Sequence, residues 1–162
     1  MTVPRGGRRI SLRQNLRPAP LRGSVLKRWV RDALDLLGVG SADLRIRIVG
    51  DAEMTRWNRR FLGRPTTTNV LSFPEADPPE TIRGELRGDI LVSAPTCLNQ
   101  TTGWPGPPEG RVFFFILHGM LHLLGHDHLA GRREADRMRR AERKIFRQVL
   151  SEGARRGWVR ER

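Results

Sequence analysis

All four histidines of the chain fall in one stretch, His118-Gly119-Met120-Leu121-His122-Leu123-Leu124-Gly125-His126-Asp127-His128. His118 and His122 are four apart, so on a helix their rings stand one turn above the other on one face. Two imidazoles so placed form a bidentate clip for a transition metal, most often zinc. Gly125 can adopt the left-handed conformation that ends a helix and turns the chain back, bringing His126 or His128 round to the pair. Three neutral imidazoles on zinc leave a fourth position open, the pattern of a catalytic site rather than a structural one. Such a metal lowers the pKa of a bound water towards roughly 7 and polarises a carbonyl or phosphoryl oxygen. The expected chemistry is hydrolysis.

The ligand set follows from the spacing. His-x3-His-x2-Gly-x2-His, ending on His128, is the ligand spacing of the metzincin proteases. The expected ligands are therefore His118, His122 and His128, with His126 as an exposed turn residue. Those proteases carry a glutamate general base beside the first histidine, where this chain has Gly119. A metalloprotease-like hydrolase is one alternative, short of its base. A non-catalytic, zinc-containing RNA-binding module is another. It needs a fourth protein ligand, which His126, Asp127 or Cys97 would have to supply. Asp127 is placed either to orient a ligand imidazole from behind or to sit in solvent at the turn.

The elements that must hold these residues can be read from periodicity. Val112-Phe113-Phe114-Phe115-Ile116-Leu117 is apolar all round, so the histidine helix, from about Glu109 to Leu124, is expected to be buried. Arg9–Arg13 and Leu44–Val49 alternate as strands, the second with arginines on its wetter face. Between them Leu21, Val25, Trp29, Ala33, Leu34 and Leu37 repeat at helical spacing, up to a stop at Gly38. Asp51 is expected to cap a helix with Met54, Trp57, Phe61 and Leu62 on its apolar face, closed by Gly63. Val70–Phe73 and Leu86–Ser93 read as strands flanking a surface loop from Pro74 to Glu85. Ser93 and Pro95 look like the cap and first turn of a helix to about Thr102. The last helix should span roughly Arg132 to Leu150, with Met138, Ala141, Ile145 and Val149 on its inner face. Residues 1–150 are thus expected to form a single domain, α+β or mixed α/β, followed by a basic, flexible tail over 151–162.

The 162 residues suffice for one buried core. No run of eighteen apolar residues offers a membrane span, and the start lacks the apolar core of a secretory signal. Cys97, the only cysteine, has no partner for an internal disulfide, which fits a reducing, cytoplasmic setting. The net charge of +13 sits at the ends. Residues 1–31 carry nine basic residues and no acid, and residues 132–162 carry twelve basic and five acidic residues. Between them nine basic residues face twelve acids. Basic ends suit a polyanionic partner bound with release of counterions. The four tryptophans are scattered and show no stacking platform; Trp29 and Trp57 are expected in the core.

The motif His118-Gly119-x-Leu121-His122-Leu123-x-Gly125-x-Asp127-His128 resembles the signature of the YbeY family of metal-dependent endoribonucleases. Thr68-Asn69-Val70-Leu71-Ser72-Phe73-Pro74 is similar to that family's Thr-(Asp/Asn)-Val-Leu-Ser-Phe block, and Gly88-Asp89-Ile90 to its Gly-Asp-Ile strand. The resemblance implies a small mixed β-sheet packed against helices, with a central metal-binding helix. It also implies a zinc-dependent, single-strand-type endoribonuclease in small-subunit ribosomal RNA maturation and ribosome quality control. Ribosomal RNA would be the substrate, and ribosomal proteins or a ribosome-assembly GTPase the partners. Attack by water or activation of the ribose 2′-hydroxyl are both open. Ser72 becomes a candidate for contact with substrate or ligand, while Asp89 reads as structural and Asn69 as a strand-entry hydrogen bonder. One departure matters. The family pattern Asn-x-x-(Tyr/Phe)-Arg aligns its active-site arginine with Leu62. Leucine cannot neutralise a phosphoryl group, so Arg64, in the loop entering the Ser72 strand, is the candidate phosphate contact.

Overall fold

The computed structural model describes residues 6–16, 20–75, 84–125 and 131–155. In chain order they form β1 (Arg8–Gln14), α1 (Gly23–Leu36), β2 (Ser41–Val49), α2 (Asp51–Leu62), β3 (Val70–Pro74), β4 (Glu85–Ser93), α3 (Ala94–Gln100), α4 (Pro108–Leu123) and α5 (Arg132–Arg155). The class is α+β. The four strands make one mixed sheet in the order β1-β2-β4-β3. β1 pairs with β2, and β2 with β4, in parallel, whereas β3 runs antiparallel to β4 at the edge. Each parallel step carries a helix in its connection, as parallel strands require.

Alternation along β2 decides the two faces. Leu44, Ile46 and Ile48 are fully or almost fully buried, and Arg45 and Arg47 between them are exposed. Each buried aliphatic contributes about 1.5–3 kcal/mol relative to leaving it in water. On the buried face α1 and α4 pack on the sheet and on each other, with α5 across both. The apolar stretch of α4 is the middle of this layer: Val112, Phe113, Ile116, Leu117, Met120 and Leu121 have no exposure. Glu109, buried in the first turn of α4, accepts hydrogen bonds from the Arg22 backbone N–H at 2.9 Å and from its guanidinium at 3.0 Å. That pairing ties the start of α4 to the start of α1. On the other face α2 covers a smaller cluster of Val49, Met54, Leu71 and Leu91.

Three expectations change. The helix α5 does not end at Leu150 but runs to Arg155, so 151–155 belong to it and not to a tail. Gly153 is buried against α1, where an added Cβ would lie 2.8 Å from Trp29 Nε1. The inner stripe therefore continues one turn beyond Val149. Residues 156–162 lie outside the described residues, as does 76–83 of the expected surface loop. Asp51 is not the cap of α2: Gly50 is, and Asp51 reaches instead across to α3. Phe61 and Leu62, expected on the inner face of α2, are 49% and 54% exposed, and Asn58 is buried instead, donating to the Thr66 carbonyl. The helix packs on the sheet through Met54 and Trp57, and Phe61 in its last turn touches the edge-strand Phe73.

Candidate metal centre

His118 and His122 sit in the last turn and a half of α4, half-buried, with their Nε2 atoms 3.0 Å apart. Their rings meet edge-on, with centroids 4.6 Å apart and planes at 71°. Two zinc–nitrogen bonds of 2.0–2.1 Å at a tetrahedral angle place the nitrogens roughly 3.3 Å apart, so the pair is close to the spacing a bound zinc needs. The helix stops at Leu123 with Leu124 as its cap, and Gly125 takes φ 89° while its N–H donates to the His122 carbonyl. This is the left-handed turn expected after the pair. His126, Asp127 and His128 lie outside the described residues. Among those described, no group of three or more His, Cys, Asp or Glu side chains is arranged to hold a metal ion.

Behind His118 stands a residue that periodicity did not pick out. Glu142 Oε1 lies 2.9 Å from His118 Nδ1, and the Glu142 side chain is only 6% exposed. A carboxylate there accepts a hydrogen bond from Nδ1–H, fixes the ring's orientation and leaves Nε2 with its lone pair outward. Ala141, expected on the inner face of α5, is half-buried, and the stripe is Met138, Glu142, Ile145 and Val149. An acid in register with three apolar residues was the available signal.

Ser72 faces α4. Its hydroxyl donates to the Gly119 carbonyl at 3.3 Å, which brings the edge strand β3 against the histidine helix. A Cβ at position 119 would stand 2.9 Å from Ser72 Oγ and 3.1 Å from Ile90 Cγ2. A side chain there would push against the Ser72 hydroxyl and the Ile90 side chain, so this close approach of helix and strand suits glycine. Gly88 serves the same packing one strand over, since a Cβ on it would meet the Phe73 carbonyl and Leu123.

The remaining candidates are dispersed. Arg64 is exposed in the loop after α2; its backbone N–H donates to the Asn58 carbonyl, and its side chain has no partner among the described residues. Asp89 forms a two-bond pair with Arg45, at 2.8 and 2.9 Å, on the open face of the sheet, a structural role. Asn69 binds Gln100 through its side chain, and its carbonyl accepts the Ser93 N–H where β3 begins. Ser93 caps α3 as expected. Asp51 Oδ1 accepts hydroxyl hydrogen bonds from Ser93, Thr96 and Thr67 at 2.6, 2.5 and 3.1 Å, and those of Ser93 and Thr96 hold its carboxyl below the usual range. Cys97 is buried in the core next to the Asn69 carbonyl, and burial pushes its thiol pKa far up. Nor is Trp57 wholly core: it stacks on the exposed Phe61, with centroids 5.3 Å apart and planes at 9°.

Comparison with known proteins gives one answer. The family model described as Endoribonuclease YbeY matches residues 15–150. The protein named Endoribonuclease YbeY from Geobacter metallireducens is 31% identical over 90% of this chain and 98% of its own length. That from Persephonella marina is 30% identical over 79% and 86%, and that from Alkalilimnicola ehrlichii 39% over 76% and 75%. A solution structure of TM1509 from Thermotoga maritima shares the fold, with a TM-score of 0.63 and 23% identity over 93% of both chains. A helix that presents two converging imidazoles over an edge-strand serine thus occurs in a chain that belongs, over most of its length, to the YbeY endoribonuclease family.

Proposed function

We propose that this protein is a zinc-dependent endoribonuclease that hydrolyses RNA phosphodiesters in maturation of small-subunit ribosomal RNA, in the cytoplasm. The observation that carries this reading is the convergence of His118 Nε2 and His122 Nε2, with buried Glu142 on His118 Nδ1, in a chain of this family. His118 and His122 would hold the zinc, with His128 as the third ligand. When bound, zinc supplies a Lewis acid that polarises a phosphoryl oxygen and makes water an effective nucleophile near neutral pH.

The chain's own residues do the rest. Glu142 holds the His118 ring in one tautomer and one orientation, so that the donor atom is preorganised. Ser72 hydrogen-bonds through its proton to Gly119, which leaves its oxygen lone pairs able to accept from a substrate hydroxyl. Arg64 is a guanidinium without an acidic partner among the described residues, on the loop that leads into the Ser72 strand, and is proposed to contact the phosphate. Partners of this activity would be ribosomal RNA and, on the ribosome, ribosomal proteins or an assembly GTPase. No helix among the described residues is long and apolar enough to cross a membrane. The test is metal analysis of the purified protein together with RNA cleavage before and after chelation. Cleavage that survives complete removal of the metal would refute the reading.

A further inference from the structure

On the face of the sheet turned away from α4, the surface beside α2 combines two features of single-strand recognition. The first is aromatic. Trp57 and Phe61 stack, Phe61 meets Phe73 at 4.9 Å between centroids, and Phe61 is 49% exposed. The second is cationic. The Arg47 guanidinium lies over the Trp57 ring at 5.8 Å, and that of Arg60 lies 5.7 Å from the Phe61 centroid. Arg13, exposed on β1, is the register partner of Arg47.

The charges there are available. Elsewhere on this face Arg45 is paired with Asp89, and Arg87 lies near Glu85 and Glu75. Arg13, Arg47 and Arg60 have no acidic partner among the described residues. Two of these guanidinium groups lie directly beside the rings, Arg47 over Trp57 and Arg60 by Phe61. Bases offer a π-face to stack on only when they are unpaired, and stacking with a flanking track of cations is how sequence-tolerant single-strand binders work.

We propose that this face binds single-stranded RNA, with bases stacked on Phe61 and Trp57 and phosphates on Arg13, Arg47 and Arg60. The proposal rests on the ribonuclease reading, because it assigns the platform to the strand flanking the scissile bond. Ser72 and Phe73 are consecutive on the edge strand β3. Ser72 faces α4 and its histidines, and Phe73 faces the aromatic cluster. A strand that passes over this edge reaches both sides.

The test is binding of a labelled single-stranded oligoadenylate, and of an RNA duplex of equal length, to the full chain in chelator so that nothing is cut. Phe61→Leu keeps an apolar side chain at a half-exposed position and removes the ring. It should weaken single-strand binding on the order of five-fold or more, with duplex binding and salt slope unchanged. Arg47→Ala should instead lower the salt slope by about 0.7. Phe61→Ala should weaken the single strand at least as much as Phe61→Leu. Single-strand affinity at the wild-type value in both Phe61 variants would overturn the proposal and leave the patch to a protein partner. An equal loss on the duplex would overturn it too, since no base is then being stacked. Cleavage is measured separately with metal restored. Wild-type protein that binds the strand through Phe61 yet cuts no RNA supports the platform and refutes the ribonuclease reading.

Discussion

Replacing Glu142 by Gln tests whether the site depends on a residue that contributes no metal ligand. The carboxylate lies 2.9 Å from His118 Nδ1 and its side chain is 6% exposed, so little water competes for that contact. Glutamine is nearly the same size and can still accept a hydrogen bond from Nδ1, so the inner stripe of α5 stays filled. What disappears is the negative charge that favours the Nδ1–H tautomer and leaves Nε2 as the donor atom. Loss of a carboxylate in this position typically costs 10- to 100-fold in metal affinity, or roughly 1.4–2.7 kcal/mol. The metal-free variant should remain folded, because the exchange removes a buried charge and leaves no charge unpaired. Zinc affinity measured by competition with a chromophoric chelator, beside thermal unfolding of the metal-free proteins, separates the two effects. A zinc affinity within two-fold of wild type would show that Glu142 only fills space.

Further expectations concern the ligands, the phosphate contact and an acid-sensitive joint. His118→Ala, His122→Ala and His128→Ala should each lose bound metal while His126→Ala keeps most of it; full occupancy in the His128 variant, by elemental analysis, would refute that ligand set. Arg64→Ala should lower RNA cleavage by about ten-fold, on the order of 1.4 kcal/mol of transition-state stabilisation, with metal content unchanged. Wild-type rates in that variant, with Arg59→Ala measured beside it, would remove Arg64 from the reaction. Asp51 is held below its usual range by the hydroxyls of Ser93 and Thr96, so its contribution to stability is complete above the ordinary carboxylate value, about 4, and is lost as pH falls through the lower folded value. Asp51→Asn should therefore be less stable than wild type at neutral pH and approach it in strong acid; parallel curves of unfolding midpoint against pH would contradict this.

The sequence by itself determined the relations that live within one element. The four-residue spacing of His118 and His122 fixes a shared helical face, and it does so for any tertiary environment. The stop at Gly125 and the two faces of β2 follow in the same way from backbone geometry and period-two alternation. Family motifs legible in the chain likewise anticipated the α+β class and a mixed sheet. Relations between elements were a different matter, because they depend on how far one element slides and turns on another. Glu142 reaches His118 across 24 positions only because α5 crosses α4 in one register; read along α5 alone, it is an acid in line with Met138, Ile145 and Val149 whose partner is unnamed. Ser72 meets Gly119 across 47 positions because β3 pairs outside β4, an order that strand patterns do not encode. Phe61 carries the same apolar pattern as a core residue, yet the tertiary structure leaves it half in solvent, packed only against Trp57 and the edge-strand Phe73.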